Sequence, residues 1–575
     1  MNTISLRQRH APSHVIESLT DAGLDPILAR VLASRGIREP EEVSADLKSL
    51  QKPDAMRGLA RAATLIADGI AENQTFCVVG DYDCDGATAT ALMVNGLRRL
   101  GATVDYLVPN RFTDGYGLSA GVVTSALSHP TLGKPNWLIT VDNGIASIEG
   151  TAAANAHGIG VVITDHHLPG VELPDAAAIV NPNQPGCEFA SKNLAGVGVA
   201  FYLVAAVRSE LRQRQALPEP APKLSDLLDL VALGTIADLV PLDANNRRLV
   251  AAGLARIQSG KARPGIQALL QAAGVAAHRI TVRDLGFALG PRINAAGRLE
   301  DISIGIECLL AHDSALAAEL AMTLDGINRQ RREIEADMRE SAIESLSAPT
   351  PQQMSLVLYQ PDWHEGIVGL VAGRLKDKFH RPTFAFAPGS ADPSMLKGSG
   401  RSLAGIHLRD ALALLDAREP GLMTRFGGHA MAAGLSLPAA NIEPFEAGIE
   451  KAIAEIALPG ALSAESVHDG ALTPGVMTLG LVKTLDQQVW GQAFAAPLFC
   501  NEFEVMRQRV VGTGHLKLEL RLDGKSFGGI FFQRSEPLPD RAWLTYSLQA
   551  NEFRGVTELQ LLVQAHGLPV PAARI

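Results

Sequence analysis

The stretch FCVVGDYDCDG at residues 76 to 86 decides the fold of this chain, because an apolar, strand-like run ends there on acidic residues. Two further stretches, WLITVDNG at 137 to 144 and VVITDHH at 161 to 167, have the same design. In a parallel α/β sheet the carboxyl ends of the strands meet at one edge, where functional groups collect. The repetition therefore predicts a parallel sheet with one acidic edge.

The predicted edge carries side chains that bind cations well: Asp81, Asp83, Asp85, Asp142, Asp165, His166 and His167. Carboxylates packed this closely repel one another and need a cation between them. Oxygen ligands are in the majority and no thiolate is required, which favours Mn²⁺ and Mg²⁺ over a structural zinc ion. We therefore predict a site for two metal ions, Mn²⁺ or Mg²⁺.

Length, charge and cysteine content narrow the class of protein. At 575 residues the chain is too long for one hydrophobic core, so several domains are expected. The five cysteines include no CxxC pair, which argues against a disulfide framework and a zinc knuckle. The net charge of −10 restricts any nucleic-acid path to a local groove. Without an apolar signal core or a membrane-spanning stretch, we expect a soluble, cytoplasmic chain.

Hydrophobic periodicity divides the chain into four parts of an α/β protein. Alternation of strand, loop and helix predicts a parallel sheet within a domain of residues 1–310. Residues 311–347 have a helical period without proline and predict one long connecting helix. A smaller α/β unit is expected over 348–456. Short alternating runs over 460–575 predict a small β-barrel of the OB type.

Eight ordered motifs carry a family resemblance. DYDCDG, VDNG, DHH and GTIADLVPL resemble the four acidic motifs of the DHH phosphoesterase superfamily. Four later motifs resemble the RecJ family of bacterial single-strand-specific 5′ to 3′ exonucleases, including its DHHA1 domain: GPRINAAGR, HEGIVGLVAGRL, GSGRS and GGHAMAAGL. The resemblance implies a DHH domain, a DHHA1 domain and an OB-fold domain. It also implies degradation of single-stranded DNA to 5′-mononucleotides in DNA repair and recombination.

Hydrolysis of a phosphodiester at neutral pH needs a hydroxide nucleophile and neutralisation of charge at phosphorus, which two adjacent metal ions can supply. We assign Asp83 and Asp85 to one or both ions, because alternate positions on a tight loop can face one cavity and Gly86 permits the turn. Asp142 is the bridging candidate. His166 is expected to bind a metal ion through one ring nitrogen.

The other acidic-edge residues have less direct assignments. Asp165 is expected to orient a histidine from behind the site, and His167 to contact the scissile phosphate. Asp81 is either an outer metal ligand or a partner of the ligands. Asp238, at the matching family position, would complete the second metal site; by itself it would be a helix cap before Pro241. Helix capping or a turn is likewise the alternative for any single aspartate at a strand end.

Arginines beside glycines are the candidate phosphate-binding residues, because guanidinium groups and backbone amides can together hold phosphate oxygens: Arg111, Arg292, Arg298 and Arg401. We expect Arg401, with Ser399 or Ser402 and aided by Arg111, to bind the 5′ phosphate and set the cleavage register. An ordinary surface ion pair is the alternative for each arginine. His429 follows a diglycine and, as the resemblance implies, is expected to donate to a phosphate.

Two alternatives to the exonuclease stay open. One is a DHH phosphodiesterase that acts on short oligonucleotides or cyclic dinucleotides, or a pyrophosphatase. The other is a non-catalytic scaffold that binds single strands; the intact acidic residues argue against it. We expect the chain to act as a monomer on single-stranded DNA, away from membranes, with a helicase and a single-strand-binding protein as candidate partners.

Overall fold

The computed structural model describes residues 4–110, 116–346, 349–350, 352–512, 514–553 and 555–570. Among the helices of these residues, none is long and apolar enough to cross a membrane. The chain starts with β1 (Ile4–Gln8), α1 (Ser13–Asp21) and α2 (Pro26–Ala33).

The first sheet is parallel and has helices on both faces. Its elements are α3 (Leu59–Ala71), β2 (Thr75–Val79), α4 (Cys84–Arg99), β3 (Thr103–Leu107), α5 (Ala120–Ala126), β4 (Trp137–Val141), α6 (Ile148–Ala156), β5 (Gly160–Thr164) and β6 (Ala178–Val180). Within the described residues the strand order is β3-β2-β4-β5-β6, with every pair parallel. The predicted parallel α/β fold is confirmed.

The apolar run of β2 follows from burial on both faces of the sheet. Phe76 and Val78 pack in the main core with α3 and α4, whereas Cys77 and Val79 pack in a smaller core under α5 and α6. Successive side chains of a strand point to opposite faces, so a strand covered on both faces must be apolar throughout. The chain leaves β2 for β3 on one side and later returns to β4 on the other. The crevice between the ends of β2 and β4 is therefore a topological switch point, where ligands bind in such sheets.

A helical region follows the first sheet. Its helices are α7 (Gly196–Gln213), α8 (Leu228–Ala237), α9 (Ala244–Gln258), α10 (Pro264–Ala273), α11 (Val282–Asp284), α12 (Gly290–Leu299), α13 (Ser303–Leu310) and α14 (Ser314–Ser345). The 32 residues of α14 span about 48 Å. Its first part packs on α10 and α12 and its later part on α15 (Val368–Phe379), which confirms the predicted long connecting helix.

The second sheet is mixed and smaller. Its remaining elements are β7 (Leu356–Tyr359), β8 (Thr383–Pro388), β9 (Met395–Arg401), α16 (Leu408–Arg418), β10 (Arg425–Gly428), β11 (Ala432–Pro438) and α17 (Ile442–Ile456). The described strands have the order β10-β11-β9-β8-β7, and only β7 and β8 run parallel.

The glycines of β9 make room for the aromatic rings of β8. A Cβ atom at Gly398 would lie 2.3 Å from the ring of Phe386, and one at Gly400 would lie 2.7 Å from the ring of Phe384. Because side chains alternate along a strand, Ser399 and Arg401 face the opposite side, toward the first turn of α15. The glycines thus set which side chains β9 presents to that helix.

The C-terminal region forms a closed barrel. Its elements are β12 (Glu465–His468), α18 (Leu479–Asp486), β13 (Phe499–Val511), β14 (His515–Leu522), β15 (Lys525–Phe531), β16 (Arg541–Phe553) and β17 (Val556–Val570). The described strands close in the order β17-β15-β14-β13-β16, with β16 pairing back to β17, which confirms the predicted OB-type barrel.

The N-terminal strand extends the sheet of the barrel. Although the predicted domain of residues 1–310 groups it with the first sheet, β1 pairs in parallel with β17 and with β12. Leu6 is fully buried against Cys500 and Ala565 of the barrel. Strand pairing and apolar contacts with residues that are distant in sequence therefore position this strand.

Candidate active site

The loop after β2 places the first acidic residues by capping α4. Asp83 is the N-cap residue, and its Oδ1 accepts a hydrogen bond from the Gly86 amide at 3.0 Å. A Cβ atom at Gly86 would lie 2.5 Å from the carbonyl oxygen of Asp81, so glycine is needed for this tight turn. One oxygen of Asp83 therefore caps α4, as the alternative interpretation of this residue predicted. Its position at the carboxyl edge of the sheet still places the carboxylate beside Asp81 and Asp142.

Asp85 is buried against the start of α7. Its two oxygens accept hydrogen bonds from the amides of Gly196 at 2.6 Å and Val197 at 3.0 Å. Burial raises the pKa of Asp85 to about 7, and the charge of Asp83 adds to this, although the two amide hydrogen bonds act in the opposite direction. The helix terminus thus fixes the orientation of a carboxylate that is costly to ionise without a cation.

Asp142, His166 and Asp238 meet at the centre of the site. His166 Nε2 lies 3.0 Å from Asp142 Oδ1 and 3.5 Å from Asp238 Oδ2. All three atoms are buried and form no hydrogen bond with the described residues. Buried polar atoms of a folded protein almost always have partners, so a ligand is the natural partner here. Lone pairs from two carboxylates and an imidazole fit a metal ion.

The pKa values at this centre have the pattern of an ion-binding site. Burial, and then the charges of Asp85 and Asp83, raise the pKa of both Asp142 and Asp238. Burial, and then the charge of His167, lower the pKa of His166 to about 4. A neutral imidazole is the form that binds a metal ion. A cation would relieve the repulsion between the carboxylates and use the free lone pair of His166.

Asp165 stabilises the DHH turn through hydrogen bonds with the two histidines that follow it. Its Oδ1 accepts hydrogen bonds from the amides of His166 at 2.7 Å and His167 at 3.1 Å, and lies 2.7 Å from His167 Nδ1. Burial opposes ionisation of Asp165, yet the hydrogen bond and charge of His167 lower its pKa. Burial likewise lowers the pKa of His167, but the hydrogen bond to Asp165 and the charges of Asp165, Asp81 and Asp83 together outweigh it, and the pKa is raised. Asp165 therefore orients the ring of His167.

Among the described residues, three groups of side chains offer ligand atoms that lie within 4.8 Å of one another: Asp142 with His166 and His167, Asp85 with His166 and Asp238, and Asp81 with Asp83 and Asp142. Asp142 and His166 each belong to two of these groups. This is the placement that a bridging ligand requires when two ions lie about 3.5–4 Å apart. The donors are mainly carboxylate oxygens, which suits Mn²⁺ and Mg²⁺.

Tyr116 is a residue of the site that sequence reasoning missed. Its hydroxyl donates to the carbonyl oxygen of Asp142 at 3.1 Å and lies 3.3 Å from Nδ1 of His167. Its ring contacts that of Tyr82 edge to face. The side chain is 47% exposed. An aromatic residue between glycines in the GYG stretch is the available sequence signal, although nothing there indicates contact with the acidic edge.

Arg401 and Ser399 lie together on β9, as predicted. Arg401 Nη1 donates to Ser399 Oγ and to the Gly400 carbonyl oxygen, both at 2.8 Å. A Cβ atom at Gly369 would lie 2.8 Å from Arg401 Nη2, so the guanidinium group faces the first turn of α15. Burial lowers the pKa of Arg401, and no carboxylate of the described residues forms an ion pair with it. A mostly buried guanidinium group without an acidic partner is suited to an anionic ligand.

Arg292 and Ser402 have partners inside the protein instead. Arg292 is 6% exposed, and its Nε and Nη2 contact Asp325 Oδ1 at 3.0 and 2.8 Å. Its Nη1 donates to the carbonyl oxygen of Ala288 at 2.5 Å. Ser402 is 1% exposed and donates to the carbonyl oxygen of Ile406. These contacts favour packing roles for both residues over the predicted phosphate contacts, because their donors are already used.

The remaining predicted phosphate-binding residues are dispersed. Arg298 Nη1 donates to the carbonyl oxygen of Gly366 at 3.1 Å and so links α12 to the loop before α15. His429 is exposed, in the turn between β10 and β11. Arg111 lies outside the described residues. Thus the structure brings the acidic residues into one site and places Arg298, Ser399 and Arg401 around α15.

Models of three protein families match successive parts of the chain: the N-terminal domain of the DHH family at residues 75–235, the DHHA1 domain at 352–455 and the RecJ OB domain at 468–565. Together with the acidic edge of the first sheet, these matches define a DHH-family protein with appended DHHA1 and OB domains. Asp238 lies just beyond the DHH match, although its carboxylate is part of the site.

Comparison with individual proteins identifies the family within this class more closely. The chain is 46% identical to the single-stranded-DNA-specific exonuclease RecJ of Dickeya dadantii (strain 3937), over 98% of this chain and 99% of the relative. It is also 46% identical to the protein of that name from Escherichia coli (strain K12), over 94% and 96%. A crystal structure of RecJ with Mn²⁺ from Thermus thermophilus is similar with a TM-score of 0.84 and 29% identity, covering 99% of this chain and 80% of that one. The chain belongs to the RecJ family.

Proposed function

We propose that this protein is a metal-dependent 5′ to 3′ exonuclease that degrades single-stranded DNA to 5′-mononucleotides. The observation that carries the proposal is the group of three buried, unpartnered atoms on Asp142, His166 and Asp238 at the switch point of the first sheet. Near full-length similarity to exonucleases of this name supports the substrate. DNA repair and recombination are the processes in which such an activity is expected.

The acidic residues would hold two ions, Mn²⁺ or Mg²⁺. When bound, the ions supply a hydroxide nucleophile and neutralise charge on the phosphate. Asp142 is the candidate bridging ligand; the other candidate ligands are Asp81, Asp83, Asp85, His166 and Asp238. The amides of Gly196 and Val197 hold Asp85 in place, so this carboxylate needs no rearrangement before reaction.

We propose that His167 acts on the substrate. Asp165 accepts a hydrogen bond from Nδ1 of His167, and although burial lowers the pKa of the ring, this hydrogen bond and the nearby carboxylates raise it. In its protonated form the ring would donate from the opposite nitrogen, Nε2, to an oxygen of the scissile phosphate. Tyr116 contacts the same ring and the backbone of Asp142, and therefore keeps the histidine beside the candidate metal ligands.

Arg401 and Ser399 are the proposed 5′-phosphate site. They face the first turn of α15, where backbone amides and the helix dipole favour an anion. Arg298 lies nearby through its contact with Gly366, and His429 and Arg111 stay candidate substrate contacts. Binding of the terminal phosphate would set which phosphodiester reaches the metal site.

The proposed domains are 1–310 for the N-terminal segment and the DHH catalytic domain, 311–347 for the connecting helix, 348–456 for the DHHA1 domain and 460–575 for the OB-fold domain. Strand β1 of the N-terminal segment joins the sheet of the barrel. The three family matches and the bounds of α14 support this division. A helicase and a single-strand-binding protein are the proposed partners, because an enzyme restricted to single strands depends on unwinding and protection of those strands. We propose that the protein acts as a monomer in the cytoplasm, where its DNA substrate would be found.

Product analysis with end-labelled DNA tests the activity. We expect immediate release of labelled mononucleotide from 5′-labelled single-stranded DNA, in Mn²⁺ or Mg²⁺ and not in chelator. Matched duplex and RNA are degraded more slowly or not at all, and 3′ label appears in mononucleotide only late. Cleavage limited to di- and trinucleotides would support the small-substrate phosphodiesterase, and binding without cleavage would support the scaffold.

The Arg401→Gln variant tests the 5′-phosphate site. Loss of a charged hydrogen bond to phosphate is expected to slow cleavage of 5′-phosphorylated DNA about tenfold or more, with a smaller effect on DNA that ends in a 5′ hydroxyl. Arg409→Gln, an exposed arginine of the same domain, is the matched control. Metal affinity of both variants stays at the wild-type value. Equal effects on the two DNA ends would contradict the assignment.

A further inference from the structure

A second pocket lies at the other end of α4 from the acidic residues. It has a volume of about 250 Å³ and includes Asn95 and Arg99 in its lining. Arg99 is fourteen residues after Asp85 on the same helix, which corresponds to about 21 Å. The lining residues lie between 95 and 312, so the described parts of the DHHA1 domain and the barrel contribute none of them. The pocket is thus separate from the candidate active site.

Cations dominate this pocket, which we call the basic pocket. Its lining includes Arg99, Arg256, Lys261, Arg263 and a single carboxylate, Asp226. The two oxygens of Asp226 are divided between Arg99 at 3.3 Å and Arg256 at 3.1 Å. These contacts are at the long end of charged hydrogen bonds, so Asp226 only partly neutralises the two arginines.

One further cation of the described residues, Lys261, is free for a ligand, and the two arginines beside it are held by the protein. Arg263 is held by the fully buried Asp229 at 2.9 Å, which fixes this guanidinium group at the pocket wall. Lys261 is exposed and forms no ion pair with the described residues. Nε of Arg256 is buried and has no hydrogen-bond partner in the described structure. Among the described residues, the four cations of the lining are opposed by Asp226 in the lining and by Asp229 next to it, so the pocket carries a net positive charge.

The start of α10 adds to this preference for anions. The helix begins at Pro264, which lies in the lining and has no amide N–H, and among the described residues no side chain caps the helix. The dipole at a helix N-terminus attracts negative charge. Arginine and lysine side chains near such a terminus are well suited to phosphate groups.

We propose that the basic pocket binds the phosphate group of a small phosphorylated ligand no larger than a mononucleotide. Its volume of about 250 Å³ lies near the lower end of the usual range of small-molecule sites, about 300–1,000 Å³, and suits a small ligand. The lining connects the end of α4, which starts at the metal site, with Ala311 and His312 just before α14. A bound ligand therefore contacts both the helix of the acidic loop and the approach to the connecting helix. This inference does not depend on the nuclease activity.

Calorimetric titration of the full chain with inorganic phosphate and with 2′-deoxyadenosine 5′-monophosphate tests the proposal. Chelator and the Arg401→Gln background remove contributions from the metal site and the proposed 5′-phosphate site. We expect one binding site, with affinity about tenfold lower in Lys261→Gln and lower still in Lys261→Glu, because a charged contact to phosphate is lost. Lys483→Gln and Lys483→Glu change an exposed lysine on α18 and serve as matched controls with unchanged affinity.

Three outcomes would overturn the proposal. They are no binding of either probe, equal weakening in the Lys261 and Lys483 variants, and Lys261-dependent binding only of an oligonucleotide without a terminal phosphate. The last would assign the pocket to the backbone of a DNA strand instead of a small ligand. Because Lys261 is exposed and forms no ion pair with the described residues, its replacement does not disturb folding, which the melting temperatures of the variants check.

Discussion

Two groups of buried carboxylates in this molecule have opposite surroundings. At the edge of the first sheet, Asp85, Asp142 and Asp238 lie close together, and burial, followed by the charges of neighbouring aspartates, raises their pKa values. On the connecting helix α14, Asp325 and Glu335 are also buried, but each is held by two arginines. Burial is therefore common to both groups, and the presence of a protein cation is what distinguishes them.

The arginine pairs explain how the domains are held. Asp325 contacts Arg292 of α12 at 2.8 Å, which fixes α14 to the DHH domain. Ten residues later Glu335 contacts Arg374 of α15 at 2.9 Å, which fixes the same helix to the DHHA1 domain. A buried carboxylate with its own arginine maintains structure, whereas a carboxylate without one is available to an external cation. The difference separates candidate metal ligands from residues that hold the scaffold.

The largest expected effect is the loss of activity in Asp142→Asn. Removing the candidate bridging ligand should lower the rate of nucleotide release at least about 10³-fold, since bound metal ions contribute several kcal/mol to such reactions. The variant removes repulsion at the site, so the metal-free protein should unfold at a denaturant concentration no lower than that of the wild type. Asp337→Asn, at an exposed position of α14, is the control. If Asp142→Asn retained activity, Asp142 would not be a metal ligand, and the contrast between the acidic edge and the arginine-paired carboxylates of α14 would fail.

The next effect is on stability, in Asp325→Ala. The change leaves Arg292 buried without its carboxylate, and we expect the free energy of unfolding to fall by about 3 kcal/mol. Asp337→Ala removes an exposed aspartate from the same helix and should change it by less than about 0.5 kcal/mol. Denaturant unfolding measures both variants. If Asp325→Ala and Asp337→Ala were equally stable, the arginine pairs would not hold α14 in place, and the contrast with the acidic edge would be lost.

The smallest effect is the pH dependence of the metal-free protein. The folded-state pKa of Asp85 is raised from 3.8 to about 7, so the unfolded chain ionises this group first. The stability that the protonated carboxyl contributes is therefore lost as pH rises from about 4 to about 7, by at least about 1.4 kcal/mol, or one pKa unit. Saturating Mn²⁺ should abolish or reverse the trend, because metal binding requires the ionised carboxylates. Thermal unfolding across this pH range, with and without Mn²⁺, measures the pH dependence of stability. Identical profiles in both conditions would contradict the assignment of a metal site at Asp85.

The predictions from sequence were most successful where burial constrains the residue pattern. The apolar runs before Asp81, Asp142 and Asp165 had to be strands buried on both faces, and their carboxyl ends had to meet. Strand β9 was not predicted, because its glycines lower strand propensity. The reason for these glycines is visible only in the structure, where they make room for the rings of Phe384 and Phe386. Pairing of β1 with the barrel likewise depends on partners at the far end of the chain.

The phosphate-binding predictions show the limit of local motifs. Arg292 and Arg401 both lie beside glycines, yet Arg292 has a buried carboxylate partner and Arg401 has none among the described residues. Asp325, the partner of Arg292, is 33 residues away in sequence, so no local pattern distinguishes the two arginines. Tyr116 was missed for the same reason, since its contacts with Asp142 and His167 cross between loops.

By itself, the sequence determined the parallel sheet, the acidic edge, the connecting helix, the barrel and the family. These features follow from apolar periodicity and from ligand types repeated at strand ends, which are local properties of the chain. Tertiary structure alone decided which arginines are free for phosphate, that Asp165 orients the ring of His167, and that four cations meet in the basic pocket. The physical reason is that charge compensation depends on the distances between side chains, and those distances are set only when elements remote in sequence pack together.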